Sequence, residues 1–160
     1  MRRPLYFQDL PIILDLCPKY ANVMEPNILS TLYSAVVERE TRWGTLDSQG
    51  RWIIGDSGHG HFLPQIDDRY HAEWLKAVGP RPSAEQMHAK GLEILVGCLS
   101  YFKGRGFSDW VRRGVCAYNA GIDNVVTARR PDLVTTGHDY GADVTGIAFT
   151  LLSGTDGWEP

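Results

Sequence analysis

Between Thr45 and Ile66 the helical spacing of apolar residues that marks the rest of the chain disappears, and Gly50, Gly55, Gly58 and Gly60 surround the short apolar runs Arg51-Trp52-Ile53-Ile54 and Phe62-Leu63. Such a stretch cannot continue a helix, because no i, i+3, i+4 stripe remains to be buried and glycine is unfavourable in a helix interior. It reads as a small, irregular β-rich lobe set into a helical body. The expected fold class is therefore α+β, mainly α-helical, with helices around a small sheet.

The flanking patterns supply those helices. Residues 5–20 predict a short helix followed by a polar turn. A second helix is expected to start near Pro26-Asn27, with Asn27 as cap, and to stop at Gly44. Helical pattern returns over Asp68–Val78, breaks at Gly79-Pro80-Arg81-Pro82 and restarts at Ser83, whose capping box is completed by Gln86. The long helix that follows carries the stripe Met87, Ile94, Leu95, Cys98, Leu99 and Phe102 and is expected to be central. Ser108 or Asp109 should cap a helix to Asn119, and Asp123 a short one to Arg130. Tyr140, Val144, Ile147 and Leu151 give the last helix a buried face. No repeat, low-complexity segment or linker divides residues 1–160, which are expected to form a single domain of a size that buries roughly two-thirds of its unfolded surface.

The formal charge of −3, with basic runs no longer than pairs such as Arg112-Arg113, lacks the concentrated basic face that phosphate binding needs, so no nucleic acid partner is expected. Cys17, Cys98 and Cys116 are odd in number and widely spaced, which suits free buried thiols and neither a disulfide framework nor a zinc ribbon. Gln8, Asp9, Pro11 and Asp15 interrupt any signal-peptide core, and no apolar stretch reaches the ~18 residues of a membrane span. No cleaved signal and no stable membrane insertion are expected.

Glu40 continues the face formed by Leu29, Leu32, Tyr33, Val36 and Trp43, whereas Thr31, Ser34, Glu38 and Arg42 line another. Glu40 should therefore point inward, where desolvation raises a carboxyl pKa and lets it donate a proton near neutrality. Glu38 should face water; an isolated Glu40 would instead pair with Arg39 or Arg42. Glycosidic cleavage needs such an acid and, in most cases, a second carboxylate that attacks the sugar or activates water. Asp56, in Gly55-Asp56-Ser57-Gly58, and Asp67, in Gln65-Ile66-Asp67, return from the lobe as candidates, although an Asx turn and a helix cap are ordinary uses of the same residues. His59, His61 and His71 lack the helical spacing of metalloprotease ligands, so no metal and no cofactor are expected.

Five ordered segments from Glu40 to about Leu152 resemble the goose-type lysozymes and, more distantly, the soluble lytic transglycosylases. Arg39-Glu40-Thr41-Arg42-Trp43-Gly44 is similar to the family's Arg-Glu-Ser/Thr segment, which implies Glu40 as general acid. Asp56 matches the aspartate of its Gly-Asp-x-Gly-x-Gly lobe. Gln65-Ile66-Asp67-Asp68-Arg69-Tyr70-His71 resembles Gln-Val-Asp-Lys-Arg-x-His, implying Asp67 as the second aspartate, eleven positions from Asp56, and His71 beside the substrate. Ala117-Tyr118-Asn119-Ala120-Gly121 resembles a sugar-binding segment of both groups, and Thr135-Thr136-Gly137-His138-Asp139-Tyr140 looks like Thr-Thr-His-Asp-x-Tyr. Residues 1–25 carry no usable resemblance. Where the family has Gly-Leu-Met-Gln, this chain has Phe62-Leu63-Pro64-Gln65, so Phe62 either narrows the cleft, offers a stacking face to a sugar or turns into the core.

The resemblance implies a lysozyme-like catalytic domain, with its β-rich lobe beside the active-site cleft. The implied reaction is cleavage of the β-1,4 bond between N-acetylmuramic acid and N-acetylglucosamine in peptidoglycan. Glu40 would be the acid, with Asp56 and Asp67 holding and activating water in an inverting hydrolysis; Gln65, His71, Tyr118, Asn119 and Tyr140 would shape the sugar subsites. The expected partner is the glycan strand and the expected state a monomer. A bacteriolytic, phage endolysin-like protein that accumulates in the cytoplasm before reaching the wall fits this reading; a virion-borne lysin is the other setting. The alternatives are a transglycosylase forming 1,6-anhydromuramic ends, a chitin-cleaving relative, and a non-catalytic glycan- or partner-binding module on the same fold.

Overall fold

The computed structural model describes residues 4–44, 52 and 54–154. Thr45, Gly50, Arg51 and Ile53 of the expected lobe lie outside the described residues. Helix α1 (Pro4–Leu16) runs into a 3-10 turn, Cys17–Tyr20, and together they occupy the expected first helical segment.

Helix α2 (Pro26–Thr41) differs from expectation at both ends. Its cap is Glu25 rather than Asn27: the Glu25 carboxylate accepts the Ile28 N–H at 2.9 Å, and Pro26 takes the first helical position, where a missing N–H costs nothing. The C-terminal turn closes on two successive left-handed residues, Arg42 (φ 53°) and Trp43 (φ 54°), instead of Gly44. That conformation costs on the order of 1–2 kcal/mol per residue bearing a side chain. Burial of Trp43 offsets it, with ring centroids 5.2 Å from Tyr6 of α1 and 5.8 Å from His88. Ser34, expected on a polar face, is fully buried with Ala35, Val36 and Val37, because α2 is covered by α1 on one side and by the C-terminal helix on another.

Two strands follow, β1 (Gly60–His61) and β2 (Ile66–Asp67), paired antiparallel with Gly60 opposite Asp67 and His61 opposite Ile66. An isolated antiparallel bridge joins Gly55 to Gly60. Among the described residues the expected lobe thus holds a small two-stranded antiparallel sheet set among turns. Phe62 turns into the core: it is 5% exposed and packs edge-on against Trp52 and Trp74 at 6.4 and 6.3 Å.

Helix α3 (Asp68–Val78) and helix α4 (Ala84–Gly104) have the expected bounds, and both hydrogen bonds of the Ser83–Gln86 capping box are present. Helix α5 (Trp110–Ala120) follows Asp109, whose carboxylate accepts from Arg113 Nε at 2.8 Å rather than from a backbone N–H. Helix α6 is shorter than expected, Ile122–Val126, and begins after Gly121 with Asp123 inside it. Helix α7 (Tyr140–Ser153) buries Tyr140 and Val144 against α2 and α5. No described helix is long and apolar enough to cross a membrane.

A polar contact crosses the core where α1, α2 and α4 meet. His88 Nε2 donates to Asp9 Oδ2 at 3.0 Å, which leaves Nδ1 to accept from the Tyr33 hydroxyl at 3.1 Å. Asp9, His88 and Tyr33 are all buried, and burial pushes the Tyr33 pKa well above its ordinary value, so the phenol keeps its proton. Gly91, one turn further along α4, must lack a side chain, because a Cβ there would collide with the Tyr33 hydroxyl and with Pro64 of the lobe.

Candidate active site

The C-terminal turn of α2 presents Glu40 to the first turn of α7. The Tyr140 hydroxyl donates to Glu40 Oε1, across a hundred residues of sequence. Burial dominates the carboxyl and pushes its pKa up to about 7. The Tyr140 hydrogen bond and the Arg39 charge pull it back, and the Asp56 charge adds to the rise. Arg39 is not the partner of Glu40: its guanidinium lies 2.9 Å from Asp139 and 3.3 Å from Asp143, and it stacks toward the Tyr140 ring at 5.8 Å. A carboxyl of this kind holds its proton near neutrality and can give it up to a leaving oxygen. Thr41 fixes the adjoining lobe by donating to the Leu63 carbonyl at 3.0 Å.

Asp56 and Asp67 meet at Arg69. Asp56 lies in a 3-10 turn, Asp56–Gly58, with a left-handed backbone (φ 46°), and accepts from Arg69 Nη2 at 2.6 Å. Asp67 caps α3, accepting the Arg69 N–H at 2.8 Å and the Arg69 Nε at 2.9 Å. The Arg69 contacts are the first cause holding the Asp67 carboxyl below its usual range. Residues two apart do not face each other on a helix; Asp67 reaches Arg69 because its own backbone is extended (φ −77°, ψ 121°). Arg69 stood in a recognised motif without a role.

The expected subsite residues divide. Asn119 Oδ1 accepts the Thr136 N–H at 2.9 Å and so joins the Ala117–Gly121 segment to the loop before Tyr140. His71 lies on α3 at a local departure from helical dihedrals (φ −127°, ψ 25°); burial first, then Lys90, lowers its pKa, so the ring is neutral at pH 7. Tyr118 donates to the Pro64 carbonyl at 2.7 Å, and Gln65 donates to the Phe62 carbonyl at 2.9 Å. The Gln65 amide oxygen fills the space that side chains on Gly55 and Gly60 would need. Tyr118 and Gln65 therefore spend their polar groups on the lobe's backbone, and Tyr140 spends its hydroxyl on Glu40.

His59 Nδ1 and His61 Nε2 grip the two oxygens of Asp68 at 2.7 and 3.1 Å. Among the described residues no group of three or more His, Cys, Asp or Glu is arranged to hold a metal ion. Cys17, Cys98 and Cys116 are free and buried, and burial pushes their thiols up to about 12, 11 and 12.

A family model described as Lysozyme g matches residues 14–149, a span that holds every residue of the candidate site and leaves Asp9 outside. The chain is 34% identical over 120 residues to Lysozyme g of Casuarius casuarius, covering 72% of this chain and 60% of that protein. It is 33% identical over 133 residues to Lysozyme g of Cyprinus carpio, covering 80% and 65%, and 33% identical over 130 residues to Lysozyme g of Gallus gallus, covering 78% and 56%. The chain thus spans less than two-thirds of the length of these relatives.

Proposed function

The chain belongs to the lysozyme g family, and from that premise we propose that it is a muramidase, hydrolysing the β-1,4 bond between N-acetylmuramic acid and N-acetylglucosamine in peptidoglycan with inversion at the anomeric carbon. The observation that carries this reading is the contrast between Glu40, a half-buried carboxyl whose pKa desolvation pushes up to about 7, and Asp67, which Arg69 holds below the usual carboxylate range while also reaching Asp56. Two carboxyl environments pushed apart in this way supply an acid and a base at the same pH.

Glu40 protonates the glycosidic oxygen as the bond to the anomeric carbon breaks. Water on the opposite face is oriented by the lobe aspartates, gives up a proton to a carboxylate, and forms the new bond, leaving a reducing-end muramic acid. Asn119 and His71 border the sugar subsites; Tyr140 holds the acid.

Three unpaired buried thiols support folding in a reducing compartment, which suits an endolysin-type, bacteriolytic protein that accumulates in the cytoplasm and acts on the wall after release. Mass spectrometry of products from purified peptidoglycan tests the proposal. Reducing muramic ends are expected. Mainly 1,6-anhydro ends would move the protein to transglycosylation, and binding without cleavage would make it a glycan-binding module.

A further inference from the structure

Asp56 and Asp67 have unlike surroundings. On Asp67, Oδ1 accepts the main-chain N–H and Nε of Arg69, and Oδ2 accepts Nε at 3.0 Å and Nη2 at 2.5 Å. Both of its oxygens are engaged by a single neighbour. Asp56 gives only Oδ2 to Arg69, its side chain is 60% exposed, and its Oδ1 has no partner among the described residues.

Resting on the hydrolytic reading above, we propose that Arg69 is the positioning residue of the water site, with Asp67 anchoring Arg69 and Asp56 alone carrying the attacking water. A guanidinium is planar and its N–H donors are fixed relative to one another, so clamping one edge on Asp67 sets where Nη2 meets Asp56. That contact orients the Asp56 carboxylate and leaves Oδ1 for water. As the water oxygen bonds to the anomeric carbon, its proton passes to Asp56 Oδ1. The electrons of the breaking glycosidic bond go to the leaving oxygen, which takes the proton of Glu40. Asp67, with its lone pairs already engaged, takes no proton.

Azide separates the two aspartates. Asp56→Gly suits the left-handed backbone at that position (φ 46°) and opens a gap on the attacking side. Azide entering the gap forms a carbon–nitrogen bond at the anomeric carbon while the glycosidic bond breaks and Glu40 protonates the leaving oxygen, giving a glycosyl azide of inverted configuration. Asp67→Ser keeps an N-cap for α3 but is too short to hold the guanidinium, and it leaves the Asp56 charge in the path of azide.

The assay uses soluble oligomers of purified glycan strands, with and without sodium azide, products identified by mass spectrometry and each variant checked by thermal melting. Both variants should lose about 10²–10⁴-fold in hydrolysis, and only Asp56→Gly should form the azide product. Arg69→Lys, which keeps the charge without the fork, should lose at least about tenfold in kcat with little change in KM. Azide product from Asp67→Ser, from both variants or from neither, or an Arg69→Lys protein as fast as the parent, overturns the assignment. A parent that does not cleave the oligomers refutes the proposed function itself; a parent that cleaves, with the wrong azide pattern, refutes only the division of labour.

Discussion

The Asp9–His88–Tyr33 contact and the Asp56–Arg69–Asp67 cluster both hold a carboxylate with a nitrogen donor, but one is sealed in the core and the other stands in solvent. Asp9 is 3% and His88 0% exposed, whereas the Asp56 and Arg69 side chains are 60% and 50% exposed. Burial decides what each can do. In the core, removing one partner strands the other without water, so the contact fixes how α1, α2 and α4 meet. In solvent, the same kind of pair adds little to folding, yet its oxygens can reach water and substrate. Glu40 lies between these cases, buried enough to hold a proton and close enough to the Asp56 charge to feel it.

The comparison breaks most visibly at His88. His88→Leu leaves Asp9 and the Tyr33 hydroxyl unpaired in the core and should cost about 3–5 kcal/mol of stability, read from denaturant midpoints. The double variant Asp9→Leu with His88→Leu should lose less than the single one. A single variant as stable as the parent would show that the core contact is not sealed.

Next in size is Glu40→Gln. A carboxyl raised from 4.5 to about 7 binds its proton more tightly when folded, so its stabilising contribution is complete below about pH 4.5 and is lost as pH rises through 7. The Gln variant should therefore be more stable than the parent above pH 7, by up to about 3 kcal/mol, and equal to it near pH 4. Melting curves at both pH values decide this.

Smaller effects are expected in the exposed cluster. His59 and His61 hold the Asp68 pKa below its usual range, so any stability from this contact is present at neutral pH and lost on acidification. Asp68→Asn should move the melting temperature far less than His88→Leu, and added salt should erase the difference. A large, salt-independent loss would mean that the lobe is drier than its exposure indicates. Least of all, Tyr140→Phe removes a hydrogen bond that lowers the Glu40 pKa, so the basic limb of the pH–rate profile should move to higher pH. A shift to lower pH would contradict that role.

Much of this was legible where local chemistry decides the outcome. The Ser83–Gln86 capping box, the bounds of α3 and α4 and the inward position of Glu40 follow from spacing alone. Long-range packing was not legible. Trp43 takes a left-handed backbone because Tyr6 and His88 receive its ring, which overrides the signal of Gly44. Asp9 and His88 are 79 positions apart, and no periodicity announces their contact. In the site, residue types were readable but hydrogen-bond partners were not: Tyr118, Gln65 and Tyr140 turn to Pro64, Phe62 and Glu40. Arg69 was visible beside Asp67, but its reach to Asp56 depends on the turn that returns Asp56 to α3.

The central claim, that the half-buried Glu40 is the proton donor, is tested most directly by the pH dependence of kcat/KM on soluble glycan oligomers for the parent, Glu40→Gln and Glu38→Gln. The parent and Glu38→Gln should share a basic limb near pH 7, set by loss of the Glu40 proton, while Glu40→Gln falls by about 10²–10⁴-fold with its fold intact. A Glu40→Gln protein as active as the parent, or an equal loss in Glu38→Gln, would contradict the account.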